Sequence, residues 1–279
     1  MILLPSVLNW SYHRSYGDAW STSLNEYIAK VANLARKFGF APMGINIGTG
    51  GEQNQLPRRD HNYVAELRKK LEDLGLTPIP IIGTLQIHAD AAVVAKSIEA
   101  LKPTLEISSW LGIEVSTYNL SLHGRLTKEK AVRVYAEAVA RLADVAATFG
   151  QRICTENYNH FTSDELLLAI ERCGKNNVGF LNDIGNWLLL GEDPVSVTRK
   201  LAYRTFHVHV KDYHLQDGVW RSVPLGQGII DIPSILEILA KTPGDAVFLA
   251  LETDLDEGDE NQALVESAAY IKPLLRLNP

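Results

Sequence analysis

Eight short apolar runs alternate with eight amphipathic segments along the chain, and this alternation restricts the fold more than any other property of the sequence. Strands are predicted near Val7–Trp10, Met43–Ile47, Pro78–Ile82, Ile113–Thr117, Arg152–Glu156, Val178–Asp183, Arg204–Lys211 and Ala246–Glu252. Helices are predicted near Ser23–Phe38, Asp60–Leu74, Ala89–Leu111, Lys128–Phe149, Ser163–Cys173, Pro194–Leu201, Ile232–Lys241 and Asn261–Leu277. Gly39, Gly75, Gly112 and Gly150 stand where four of these helices should close. Strands separated by helices imply right-handed crossovers and a parallel sheet. Eight such units with no segment left over predict an α/β fold, a single (β/α)8 TIM barrel, with residues 1–279 as one domain. An open doubly wound sheet is the runner-up. It needs a Gly-rich phosphate turn after an early strand, and Gly48-Thr49-Gly50-Gly51 lacks the spacing.

Composition narrows the function classes. The net charge is −6 and no basic stretch stands out, so neither nucleic acid nor an anionic membrane surface is expected as a partner. No apolar run approaches the roughly 20 residues that span a bilayer. The opening MILLPSVLNWSYHR has no basic stretch ahead of its apolar residues and no small-residue cleavage site, so no signal peptide is expected. The two cysteines, Cys154 and Cys173, make no disulfide framework, and a cytoplasmic location is expected. A homo-oligomer is compatible with all of this.

The chemistry concentrates at strand ends. Glu156 closes RICTE, Asp183 closes VGFLND, His209 lies in FHVHVKD and Glu252 closes VFLALE. A parallel barrel gathers the C-terminal ends of its strands at one mouth. Alternation along each strand puts all four side chains on the inward face, together with His207 and Lys211, while Val208, Val210, Leu249 and Leu251 point outward. Taken singly, a carboxylate at a strand end is more often a helix cap, and a strand His is more often a packed core residue. Three carboxylates converging with an imidazole are different, because unpaired buried charge is very costly. A divalent cation resolves the repulsion, and carboxylate-rich sets favour Mn first, then Mg, Co or Zn. His207, one layer deeper, reads as a packing or supporting residue.

Further polar groups follow the predicted strands. Tyr12, His13 and Arg14 come after the first, Glu52 and Gln53 after the second, Arg125 after the fourth and His160 after the fifth. Small-molecule sites are lined by aromatic faces with a few hydrogen-bonding groups, which makes Trp10, Trp187 and Trp220 candidate walls. Substrate contacts are expected from Trp10, His88, His123, Asn157, Asn186, Lys211 and Arg221.

With TENYNH, NDIGNW, HVHVKD, LGQGIID and ALETD in these positions, the chain resembles the sugar phosphate isomerase/epimerase superfamily of xylose-isomerase-like TIM barrels over essentially its whole length. The resemblance implies that Glu156, Asp183, His209 and Glu252 bind one divalent metal. It also implies that Glu156 and Glu252 act as acid/base groups on opposite faces of a small carbohydrate. Many epimerases of this kind carry a His three residues after the metal Asp, where this chain has Asn186. Another branch matches here, with Glu-Asn near strand five and Asp-x-Gly-Asn after strand six. The activity expected is isomerisation or epimerisation of a small sugar, keto-sugar or cyclitol through an enediolate. The alternative is a metal-dependent lyase that removes a leaving group from a 3-oxo-glycoside or inosose by β-elimination. A DNA-repair endonuclease needs a basic groove that the charge balance argues against, and a metal-binding scaffold without turnover is a further alternative.

Overall fold

The computed structural model describes residues 1–16, 20–50, 55–158 and 160–276. The Glu52 and Gln53 considered above lie outside the described residues. In chain order the strands are β1 (Leu3–Val7), β2 (Met43–Gly48), β3 (Leu76–Ile87), β4 (Val115–Leu122), β5 (Arg152–Glu156), β6 (Val178–Asp183), β7 (Thr205–Val210), β8 (Asp212–Gln216), β9 (Val219–Val223) and β10 (Val247–Leu251). The helices are α1 (His13–Tyr16), α2 (Trp20–Phe38), α3 (His61–Asp73), α4 (Ala91–Trp110), α5 (Lys128–Ala147), α6 (Ser163–Cys173), α7 (Ile184–Leu189), α8 (Pro194–Leu201), α9 (Ile232–Lys241) and α10 (Glu260–Arg276).

Eight strands close into a barrel in the order β1-β10-β7-β6-β5-β4-β3-β2. Every ladder in it is parallel. Outward side chains such as Val208, Val210, Val247, Leu249 and Leu251 are fully or nearly fully buried against the surrounding helices, and that shell is the main core. A second apolar shell lies between the strands β3 to β6 and the helices α4, α5, α6 and α8. Inside the barrel Leu8, Ile81 and Ala250 form a small apolar cluster.

Local chemistry sets the helix ends. Thr162 and Glu165 form a reciprocal capping box at the start of α6. Asp193 caps α8, with Pro194 inside its first turn. Asp217 and Gly218 both adopt positive φ, 52° and 77°, as a two-residue hairpin turn of mirror-image type requires, and so join β8 to β9.

Three strands differ from the sequence reading by more than one residue at an end. The first strand is Leu3–Val7 rather than Val7–Trp10. Pro5 argues against a strand, but pairing of β1 with β2 starts only at Ser6, which leaves an unpaired side at Pro5. The third strand continues past Ile82 to Ile87 through an irregular register between Ile81 and Thr84. Gly83 sits there at φ 116°, a conformation that interrupts the apolar pattern. The fourth begins at Val115 and runs on to Leu122 rather than ending at Thr117.

Candidate active site

Glu156, Asp183, His209 and Glu252 end or follow four neighbouring strands, and the register explains how they meet. Asp183 pairs with His209 across β6 and β7, and Ala250 pairs with His209 across β7 and β10. The backbone N–H of Glu252 donates to the Val210 carbonyl at 3.1 Å, carrying the last ladder one step past β10.

Asp183 is fully buried and its two oxygens do different work. Oδ1 accepts the backbone N–H groups of Gly185 at 2.9 Å and Asn186 at 3.0 Å, which caps α7. Oδ2 stands 2.9 Å from Lys211 Nζ and 3.7 Å from His209 Nδ1. Glu252 Oε2 lies 3.0 Å from His209 Nδ1, and its Oε1 lies 2.8 Å from Lys211 Nζ. Glu156 Oε2 is 3.9 Å from His209 Nδ1, while Oε1 accepts from Asn186 Nδ2 at 3.0 Å. Asn157 clasps the backbone of Asp183 from both sides. Its Nδ2 donates to the Asp183 carbonyl at 3.0 Å and its Oδ1 accepts the Asp183 N–H at 2.7 Å.

The charges shape one another. Burial lifts the Glu156 carboxyl to about 7, with His209 opposing the shift. Burial also raises Asp183, but the Lys211 ammonium and His209 outweigh it and hold this carboxyl well below the usual range. For His209 burial favours the neutral ring, yet Glu252 and Asp183 win and push it up to about 10. Burial opposes the Lys211 charge, and Asp183 and Glu252 together keep it firmly protonated. His207, buried and edge-on to His209 at 5.3 Å between ring centroids, is driven well below the ordinary imidazole range by burial and by that neighbour.

The donor set fits a divalent cation. Glu156, Asp183 and His209 each offer one ligand atom, and these lie within 4.8 Å of one another. Two ligands at about 2.0–2.3 Å from one ion are at most about 4.6 Å apart, so the three close on an ion with small adjustments. Asp183 Oδ2, Glu252 Oε2 and both ring nitrogens of His209 are buried without an aligned hydrogen-bond partner, as atoms reserved for a ligand would be. Oxygen and imidazole donors suit hard or borderline ions. Glu252 stands outside the three-residue set, tied to His209 and Lys211. Lys211 is itself a buried cation among these carboxylates.

These residues lie on the wall of a cavity of about 620 Å³. Trp10, Glu156, Asn186, His209, Lys211 and Glu252 line it, and Asp183 sits directly behind them against His209 and Lys211. Other expected contacts lie elsewhere. His88 accepts from the Asp90 N–H at 3.0 Å ahead of α4, and His123 pairs with Ser121 Oγ at 2.7 Å. Arg221, on β9, is held by Asp256 at 2.5 Å. None of these three is among the lining residues, and the buried Asn157 supports Asp183 instead. Trp187 is no wall either: it is fully buried and donates to Asn182 Oδ1 at 2.7 Å. Trp220 is half-buried on β9 and packs on the core, away from the lining.

The sequence reading missed the neutral side of the cavity. Thr117, Asn119 and Ser121 line it from one face of β4, and Asn9 and Thr84 add to it. Period-two spacing would have shown them once β4 was carried to its real end. Asp212 was missed as well. Its buried carboxylate accepts the backbone N–H groups of Gly226 and Gly228 at 2.9 Å and Ile230 at 3.1 Å, and so fixes the LGQG turn beside β8.

Comparison with known proteins follows the geometry. The chain is 30% identical over 196 residues to the rhizopine catabolism protein MocC of Rhizobium meliloti, covering 59% of this chain and 58% of that protein. It is 27% identical over 169 residues to an inosose dehydratase of Clostridium botulinum (strain Alaska E43 / Type E3), covering 52% of this chain and 55% of that protein. The chain thus spans somewhat over half the length of the curated relatives it matches. Its fold is that of the IolI protein solved with a binding zinc atom, with a TM-score of 0.76, 18% identity, and coverage of 100% of this chain and 99% of that one. The family model described as xylose isomerase-like TIM barrel matches residues 32–274. With a closed eight-stranded parallel barrel behind that match, the chain belongs to the xylose isomerase-like TIM barrel family.

Proposed function

We propose that this protein is a divalent-metal-dependent isomerase or epimerase of a small keto-sugar or cyclitol. The observation that carries the reading is the meeting of Glu156, Asp183 and His209, one ligand atom each, beside an open cavity with Glu252 alongside. These residues would hold the cation, with Glu252 completing the set, and Mn is the ion we favour, followed by Mg, Co or Zn. When bound, it supplies Lewis-acid stabilisation of negative charge on adjacent substrate oxygens.

The chain's own groups then account for proton movement. Glu156 takes the proton from the carbon beside the carbonyl, and Asn186 orients it through Oε1. Glu252, fixed by Lys211, relays a proton from solvent to the other face or the neighbouring carbon, and the proton held by Glu156 passes to solvent. Lys211 keeps Asp183 ionised and lies against Glu252 at 2.8 Å. The neutral amides and hydroxyls of Asn9, Thr84, Thr117, Asn119 and Ser121 are suited to a hydroxyl-rich ligand. We place Trp10, Asn186 and Lys211 among the substrate contacts.

A second reading is a lyase acting on an inosose or a 3-oxo-glycoside. The likeness to an inosose dehydratase favours it. Lys211, the buried ammonium on the cavity wall, is the group placed to assist departure of an oxygen. Both readings begin with removal of a carbon-bound proton. Elemental analysis of the purified protein, followed by incubation with keto-sugars and inososes in deuterium oxide, tests them together. Deuterium in recovered substrate or in an isomer supports the first reading, and an unsaturated product supports the second. No exchange with any member of the panel overturns both.

A further inference from the structure

We infer that the cavity holds a second subsite, outside the reacting centre, for a ring-shaped substituent with an apolar face; this rests on the proposed carbohydrate chemistry of the same site. Two observations point to it. The first is size. A six-carbon sugar has twelve non-hydrogen atoms, and even at a full water volume of about 30 Å³ each it fills no more than about 360 Å³. The cavity measures about 620 Å³. One ring against Glu156, His209 and Glu252 therefore leaves space for a group of comparable size.

The second observation is the character of the remaining wall. Neutral polar groups cluster on the β3–β4 side, and Leu8, Ile81, Leu120 and Leu181 also line the cavity but are themselves buried, whereas Tyr158, just past β5, and Leu189, at the end of α7, stand exposed. Tyr158 is 55% exposed and Leu189 49% exposed, so two large side chains stand open on this part of the wall, with His160 the polar group beside Tyr158. Isolated exposed apolar residues are ordinary on a surface; several lining one ligand cavity mark the part that takes an apolar group. Trp10 adds a flat face at the β1 end of the same cavity. Its indole is held by an Nε1 hydrogen bond to Asp254 at 3.2 Å and by stacking on His13 at 5.2 Å. An aryl group and a second sugar ring share the needed chemistry, since each presents a flat face of carbon and hydrogen to such a wall. Within the proposed chemistry the substrate is thus a keto-sugar or cyclitol that carries such a ring as a substituent, larger than a free monosaccharide.

Binding can be measured without turnover by titrating the metal-loaded protein with methyl β-glucoside, phenyl β-glucoside and cellobiose. None has a carbonyl at the ring carbons, so calorimetry reads affinity alone. Phenyl β-glucoside or cellobiose should bind at least about tenfold more tightly than methyl β-glucoside, a difference of about 1.4 kcal/mol. Which of the two gains more tells an aryl group from a sugar ring. In the double variant Tyr158→Ala/Leu189→Ser, at two exposed positions, the ratio should fall to within about twofold. Unchanged metal content and melting temperature in that variant report an intact fold. Equal affinity for all three ligands, failure of all three to bind, or a ratio indifferent to the double variant overturns the subsite. The two proposals fail separately. Deuterium exchange into free keto-sugars with no ring preference keeps the reaction and removes the subsite, while a clear ring preference without exchange does the reverse.

Discussion

Asn186 Nδ2 bridges two acceptors, Glu156 Oε1 and the Asn157 carbonyl, each at 3.0 Å. The residue that replaces the His of many epimerases therefore acts on the neighbouring carboxylate as well as on the cavity. Asn186→Ala should leave Glu156 free to swing and lower turnover by about 10–100-fold, the usual cost of losing a group that orients a metal-site residue. Asn186→His should retain the cation within about twofold while changing which carbohydrates react. Metal content by elemental analysis, measured beside turnover on a sugar panel, checks both outcomes. Loss of the ion from Asn186→His would mean that Asn186 itself belongs to the ligand set.

The two glutamates should separate by their isotope behaviour. Glu156→Gln and Glu252→Gln each keep an oxygen for the cation but remove a base, and each should reduce turnover by about 10²–10⁴-fold. If two bases work on opposite faces, one variant still exchanges the substrate proton with deuterium oxide but forms no product. If one base does all the work, the other variant loses neither exchange nor product. Near-normal turnover in both excludes proton abstraction by these carboxylates.

Lys211 lies between Asp183 Oδ2 and Glu252 Oε1, at 2.9 and 2.8 Å. Lys211→Met should strand two buried carboxylates and destabilise the fold by about 3–5 kcal/mol, read from urea unfolding in the presence of a chelator. Mn²⁺ should recover more stability in the variant than in the parent, because the ion then supplies the missing positive charge. A ligand at a hundredfold its Kd adds about 2.7 kcal/mol, enough to see as a shift in midpoint. An equal shift in both proteins would show that Lys211 and the cation are not electrostatically exchangeable.

Asn157→Ala removes both hydrogen bonds that clasp the Asp183 backbone. The buried N–H and carbonyl left behind should cost about 1–3 kcal/mol each in unfolding free energy. Metal affinity should fall by about 10–100-fold with no change in ligand identity. A titration with Mn²⁺ that matches the parent would show that Asp183 holds its place without this support.

Much of the barrel and part of the site are legible in the sequence, for identifiable reasons. β5, β6, α6, α8 and α9 begin and end where period and capping place them. The inward phase of His209 and Lys211 follows from simple alternation with Val208 and Val210, both fully buried on the other face. Failures came where backbone irregularity or long-range pairing intervened. Gly83 and the register shift beside it hide the second half of β3, and β4 was closed too early to reveal Asn119 and Ser121. The β8–β9 hairpin carries an Asp-Gly signal at 217–218, in the connection between the seventh predicted strand and the helix at Ile232–Lys241. Arg221 stands close before LGQG in the sequence, and only the fold shows its guanidinium turned to Asp256.

Asp183 offers one oxygen to the first turn of α7 and the other to the charged cluster. A single side chain thereby makes the ordering of that short helix and the assembly of the reactive centre parts of one event. The two halves can be pulled apart chemically: Asp183→Asn keeps an oxygen for the helix while silencing the charge, and Asp183→Ala abolishes both. Change at Asn186 or Leu189, both carried on α7, is thus tethered to the placement of Asp183. The helix can vary its face toward the cavity, but its starting point is written in a carboxylate of the charged cluster.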